Sequence, residues 1–281
     1  MFTLEPPVAI EKERIMQDKP LNILVIGATG SVGRHVVSEA ISQGHTVRAL
    51  VRDTRKGRLL GDDVELFVGD LTKAESLSRA VQDIDAVVFT HGSDGAGKVG
   101  SERVDYGGVR NLLFALGGNK ARIALMTSIG VTNRTGSYNQ STEAHDWKRR
   151  GERLVRASGM PYTIVRPGWF DYNGRDQHKI VFLQGDKRQS GTPSDGVIAR
   201  KQIAKVLVDS LTCDDARGKT LELVAEVGAG QSDLTSLFAS LAADEAGRLD
   251  AVRDTDNMPL DDEPSRVTDD LHAVQKHAMA Q

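Results

Sequence analysis

Leu21-Asn-Ile-Leu-Val-Ile-Gly-Ala-Thr-Gly-Ser-Val-Gly33 joins an apolar run (Ile23, Leu24, Val25, Ile26) to three glycines at three-residue steps, Gly27, Gly30 and Gly33. A helical pattern starts at once, with Val32, Val36, Val37, Ala40 and Ile41 at helix spacing. A buried strand that turns through glycines into a helix builds an anion site. The first N–H groups of the helix have no partner inside it, and its dipole favours negative charge there. Glycines let the chain turn tightly and let a pyrophosphate reach the backbone without meeting a Cβ. The stretch therefore predicts a dinucleotide site, with Gly27, Thr29, Gly30, Ser31, Val32 and Gly33 around the diphosphate.

A glycine triplet alone can simply close a turn, so its surroundings decide. A second strand-like run, 46–51, follows Gly44 and completes a βαβ unit of about 30 residues, the length such a site requires. Further strands are expected at 64–68 (ending at Gly69-Asp70), 86–90 (ending at His91-Gly92), 123–127 and 162–166 (closed by Pro167-Gly168). Helices are expected at 74–81, about 104–116 and 143–157, with a glycine-rich loop at 93–100. The alternation predicts an α/β fold, a doubly wound parallel sheet with helices on both faces and ligands beyond the carboxyl ends of its strands. A strand at 179–183, a helix at 198–211, a strand at 220–224 and a helix at 233–243 would form a small C-terminal, substrate-side lobe beginning near 169. Charge dominates after Asp244, so 244–281 reads as an extended or loosely docked charged tail, and 1–20 as a flexible leader.

The chain has 281 residues, 39% hydrophobic and 27% charged, with a formal net charge of −3. That balance argues against nucleic-acid or anionic-membrane binding, and no run approaches the ~18 apolar residues of a membrane span. The single cysteine, Cys213, cannot form an internal disulfide, which suits a reducing cytoplasm. The expected partner is a small molecule, a flavin or a quinone, bound by a monomer or small homo-oligomer. The His, Asp and Glu residues show no metal-ligand spacing.

Gly27-Ala-Thr-Gly-Ser-Val-Gly33, Val51-Arg52, Gly69-Asp70-Leu71, Thr127-Ser128, Lys148 with Glu152, and Tyr162-Thr-Ile-Val-Arg-Pro-Gly168 follow one another in an order that resembles the atypical short-chain dehydrogenase/reductases. The nearest subgroup resembles biliverdin reductase B-type flavin reductases and nitrogen-metabolite-repressor-like redox sensors. The resemblance implies a Rossmann-type fold that binds NAD(P). It implies that Asp70 and Leu71 flank the adenine and that Thr90, His91 and Gly92 lie beside the cofactor. It further implies that Lys148 holds the nicotinamide ribose and that Pro167 and Gly168 pass the carboxamide.

Arg52, at the end of the second strand, decides the choice of dinucleotide. A guanidinium can fork onto a 2′-phosphate, so NADP is favoured over NAD; the alternative is that Arg52, Arg55 and Lys56 form a solvated basic loop. The catalytic tyrosine of the resembled family precedes its lysine by four residues, and here that position is Ala144. Tyrosine-dependent carbonyl reduction and sugar-nucleotide epimerisation or dehydration are thereby weakened. Ser128, Lys148 and His145 remain as candidate catalytic residues, His145 lying three residues from Lys148 on the same helix. One reading is an NAD(P)H oxidoreductase passing hydride to a flavin, quinone or other conjugated acceptor without a tyrosine acid. The other is a non-catalytic NADP(H)-sensing, regulatory or assembly protein.

Overall fold

A computed structural model describes residues 19–93 and 95–279, so the expected leader falls almost wholly outside the described residues. The strands are β1 (Asn22–Ile26), β2 (Thr46–Val51), β3 (Val64–Val68), β4 (Ala86–Phe89), β5 (Arg122–Met126), β6 (Tyr162–Pro167), β7 (Trp169–Phe170), β8 (Lys179–Leu183), β9 (Val197–Ile198) and β10 (Lys219–Glu226). The helices are α1 (Gly33–Ser42), α2 (Thr54–Gly57), α3 (Gly97–Gly100), α4 (Gly107–Leu116), α5 (Ser137–Thr142), α6 (Ala144–Ala157), α7 (Arg200–Thr212), α8 (Thr235–Ala239) and α9 (Ser265–Met279). One sheet runs β3-β2-β1-β4-β5-β6-β10-β9-β7, parallel from β3 to β10, with β8 and β9 antiparallel to β10. This is the expected doubly wound parallel sheet.

Both faces of the sheet are covered, so the central strands are apolar throughout. Ile23 and Val25 of β1 pack on one side with α1 and α7, through Val36, Val37, Ile203 and Leu207. Leu24 and Ile26 pack on the other with α4, α6 and α9, through Leu112, Leu154 and Leu271. The order reverses between β1 and β4, where the first crossover goes one way and the later ones the other. Ligands bind at such a switch point, beyond the strand ends.

Three expected helices differ, the one at 233–243 being shortened to Thr235–Ala239. Residues 74–81 form a 3₁₀ turn at Ala74–Ser76 followed by further turns. Ser76 explains this: its hydroxyl accepts from Asp70 N–H at 3.0 Å and donates to Lys73 O at 2.8 Å, and such side-chain bonds compete with a regular helix. The helix expected from about 104 is preceded by a wide π turn at Ser101–Tyr106, and α4 starts only at Gly107.

The charged segment after residue 244 is neither extended nor loosely docked, which corrects the tail expectation. It straps across α6 and ends in α9, and its carboxylates meet buried arginines. Arg149 Nε donates to Asp250 at 2.9 Å, Arg150 Nε to Glu263 at 2.5 Å, and Arg153 Nη2 to Asp250 at 2.6 Å. Arg156 Nε reaches Asp244 at 3.2 Å, and Arg166 of β6 forks onto Asp254 at 2.7 Å while also gripping Glu152 at 2.6 Å. Residues 149, 153 and 156 recur at helical spacing, so they share one face of α6. Arg149 is 0% exposed and Arg150 6%, so these arginines of α6 are buried against the strap rather than solvated.

Five arginines (149, 150, 153, 156, 166) thus face five carboxylates (Glu152, Asp244, Asp250, Asp254, Glu263). Glu222 of β10 is a sixth, 3.6 Å from Arg166, and its Oε1 makes no hydrogen bond among the described residues. Burial pushes its pKa up to about 8, against the pull of Arg166. Folding therefore holds a proton on Glu222 that the unfolded chain loses near its ordinary value of 4.5. Between these values the folded state binds more protons, so stability falls as pH rises, by at most about 1.4 kcal/mol per pH unit, and levels off above pH 8. In denaturation curves from pH 5 to 9, Glu222→Gln is expected to flatten this part of the slope relative to wild type; parallel slopes would contradict it.

Candidate dinucleotide site

The glycine turn sits at the switch point. Gly27 has φ +81°, and a Cβ there would fall 2.9 Å from His91 N and Thr90 C, so the glycine lets the ends of β1 and β4 touch. Thr90 closes the same junction, its hydroxyl donating to Ile26 O at 3.0 Å. Gly30 N–H donates to Gly27 O at 2.8 Å, and a Cβ on Gly33 would lie 2.1 Å from that same oxygen. The start of α1 carries neither a capping side chain nor an acid in its first turn. Among the described residues, the N–H groups of Ser31, Val32 and Gly33 have no protein acceptor. These open donors with the dipole behind them are what a diphosphate requires.

Asp53 and Arg55 satisfy each other at the adenosine end. Asp53 caps α2, accepting from Arg55 N–H at 2.8 Å and pairing with its guanidinium at 3.0 Å. Arg52 is exposed and makes no hydrogen bond or close ion pair among the described residues. Asp70 accepts from Thr72 N–H at 2.9 Å and its hydroxyl at 2.8 Å through Oδ1. Burial pushes the Asp70 pKa up, but the Thr72 bonds outweigh it and hold the carboxyl below its ordinary range. Leu71 is 9% exposed and packs over Gly108, where a Cβ would meet it at 2.5 Å.

At the opposite end, Lys148 Nζ donates to Asp105 at 2.6 Å. Asp105 stands in the π turn and also accepts from the Ser93 hydroxyl at 2.7 Å. The ammonium keeps two further donors, so a ribose diol remains within its capacity. His91 Nε2 contacts Val104 O at 3.1 Å; burial, aided by the Lys148 charge, lowers its pKa to about 4. It is therefore neutral at neutral pH. Gly92 continues the chain past His91 without regular structure. His145 is not a surface residue: its ring lies 5.2 Å from that of Tyr138, and burial lowers its pKa. That favours neutral imidazole and weakens His145 as a proton donor. The Gly168 N–H is already engaged, and Pro167 O keeps one of its two acceptor positions open. Pro167 O accepts from Ile129 N–H at 3.0 Å, and Gly168 N–H donates to Leu223 O at 2.9 Å.

Three buried polar atoms lack partners among the described residues here: Ser128 Oγ, His91 Nδ1 and His145 Nδ1. Buried polar groups are normally satisfied, so their orphaning fits a ligand with donors and acceptors of its own, as a nicotinamide carboxamide has. Sequence reasoning missed two supports of this end. Asp105, the Lys148 partner, lies 43 residues away in the chain. Asp186 accepts from Gly130 N–H at 2.6 Å and from Thr132 N–H at 2.7 Å, fixing the loop after Ser128. Neither sits in a motif, and only chain crossing brings them in.

A parallel sheet reversing at an open glycine turn defines a Rossmann-type dinucleotide-binding protein. The chain belongs to the NAD(P)H-binding family, which it matches over residues 27–214. It is 29% identical over 230 residues to photosystem II assembly factor Ycf39 of Synechocystis, covering 80% of this chain and 69% of that protein. It is 25% identical over 266 residues to sanguinarine reductase of Eschscholzia californica, covering 79% and 97%. A solved Bacillus halodurans structure, provisionally described as an NAD-dependent epimerase/dehydratase, aligns with a TM-score of 0.66 at 25% identity, covering 79% of this chain and 100% of that one. The NAD(P)-binding family and Rossmann-type fold expected from the sequence are both borne out. Among the described residues, no helix is long and apolar enough to cross a membrane.

Proposed function

We propose that the chain binds NADP(H) and serves hydride transfer to a flavin, quinone or other conjugated acceptor whose proton comes from solvent. The observation that carries this is that, among the described residues, no tyrosine or other free proton donor takes the place expected beside Lys148. Ala144 holds the tyrosine position and is 2% exposed, His91 and His145 are shifted towards the neutral ring, and Asp105 is tied to Lys148. A bound nicotinamide supplies the hydride. The chain's part is to seat the diphosphate on the Ser31–Gly33 amides, to pair Arg52 with a 2′-phosphate, and to hold the ribose with Lys148 and the carboxamide with Ser128. Acceptors that take hydride without a protein proton are the ones such a site can serve. The relationship to a reductase supports this reading, and the lone Cys213 suits a reducing compartment such as the cytoplasm.

Steady-state NADPH oxidation against a flavin and quinone panel tests it, with turnover expected. Tight NADPH binding without turnover would favour the second reading, a non-catalytic NADP(H)-dependent regulatory or assembly protein. The 29% identity to an assembly factor is what supports that alternative. Arg52→Ala tests the cofactor assignment. Removing a charge-assisted contact should weaken NADP+ roughly tenfold or more and leave NAD+ nearly unchanged in titration calorimetry. Equal losses for both would refute the role of Arg52.

A further inference from the structure

A cavity of about 370 Å³ opens between β8, β10 and the strap, away from the glycine turn. Its walls include none of the glycine-turn residues, nor Ser128, His91, Lys148 or Gly168. Phe182, Leu183 and Leu241 supply apolar surface, and Glu222 lines it with them. The Glu222 side chain is 3% exposed, and its Oε1 has no hydrogen-bond partner among the described residues. Ile129, the residue after Ser128, and Ser240 also line it, with the cations Lys187, Arg188 and Arg253; these three are exposed, and none forms an ion pair with a described carboxylate. Lys187 and Arg253 are neighbours, since a Cβ placed on Gly185 would lie 3.4 Å from Lys187 Cε and 3.4 Å from Arg253 Cβ. The wall is braced by Gln184, whose amide donates to Thr220 O at 3.0 Å and Ala242 O at 2.9 Å and accepts from Ala242 N–H at 3.0 Å.

We propose that this cavity is a second binding site, taking a small amphipathic anion independently of the dinucleotide. The cations at the rim receive a carboxylate or phosphate monoester. An apolar ring or short chain lies between Phe182 and Leu241. A hydroxyl or carbonyl at the far end meets Glu222, relieving a buried oxygen that otherwise carries a desolvation cost. The volume lies at the small end of ligand sites, enough for a single-ring compound and too small for a dinucleotide. No carboxylate other than Glu222 lines the cavity, so nothing there competes for the anion. The proposal does not depend on hydride transfer.

Titration calorimetry on the full chain tests it with 4-hydroxyphenylacetate, 4-hydroxyphenyl phosphate and neutral 4-methylphenol, each with and without NADP+. At least one anion is expected to bind with a Kd below about 1 mM, with 4-methylphenol roughly tenfold or more weaker. Whichever anion binds tighter identifies the head group as carboxylate or phosphate. The double variant Lys187→Ala/Arg253→Ala should weaken the anion roughly tenfold and leave the NADP+ titration unchanged. As NADP+ is raised, the anion's Kd should reach a plateau. Failure of both anions to bind, a Kd that climbs without limit as NADP+ is added, or wild-type affinity in the double variant would each overturn the proposal. Because turnover is not measured, the outcome stands apart from that of the NADPH oxidation assay.

Discussion

Gly33→Ala is expected to remove measurable NADP(H) binding, a loss of roughly a hundredfold or more, and to lower the melting temperature. The Cβ it adds would fall 2.1 Å from Gly27 O and 2.7 Å from Gly27 C. Both obstacles are backbone, so no side chain can swing aside. Either the turn opens or α1 moves outward, and in both cases the amides of Ser31, Val32 and Gly33 leave their aim. Gly118→Ala is the control: Gly118 is exposed, and a Cβ there meets nothing within 4 Å. It should leave affinity and stability near wild type. NADPH fluorescence titration and thermal melts check both variants. Wild-type affinity in Gly33→Ala would mean that the diphosphate is not held by this turn.

Glu152→Gln should destabilise the fold by about 3–5 kcal/mol, the range for removing one partner of a buried charge pair. Glu152 accepts from Thr127 Oγ1 at 2.7 Å and from Arg166 at 3.0 Å and 2.6 Å, and it pairs with Arg156 at 3.4 Å. Its side chain is 0% exposed. With it neutralised, five buried arginines face four charged carboxylates. Glu222 can lose its proton to compensate in part, so the loss should be smaller at pH 9 than at pH 6. Urea denaturation at the two pH values measures this. A change below about 1 kcal/mol at both would mean that the arginine cluster is solvated in solution. The expected loss concerns more than stability, because Thr127 precedes Ser128 and its bond to Glu152 fixes the end of β5 beside the candidate site.

The glycine turn and the alternation that follows it were legible because they are local. A strand's apolar run and a helix's 3.6-residue stripe are written in neighbouring residues, and tertiary packing merely buries what periodicity has sorted. The helix expected at 74–81 failed because the hydroxyl of Ser76 competes for backbone groups that periodicity ignores. The strap after residue 244 was misread for a different reason. A charged segment reads as solvated unless its counter-charges are known, and these stand on α6 and β6, some 90 to 110 residues earlier.

The sequence by itself determined a doubly wound sheet and a tight glycine turn at residues 27–33, since both follow from short-range spacing and from what glycine permits. Only the tertiary structure decided that Lys148 is held by Asp105, that His91 and His145 are shifted towards the neutral ring, and that the acidic C-terminal segment is structural. Charges and pKa values depend on what lies within a few ångströms in space. For this chain those neighbours come from distant segments that only the folded sheet brings together.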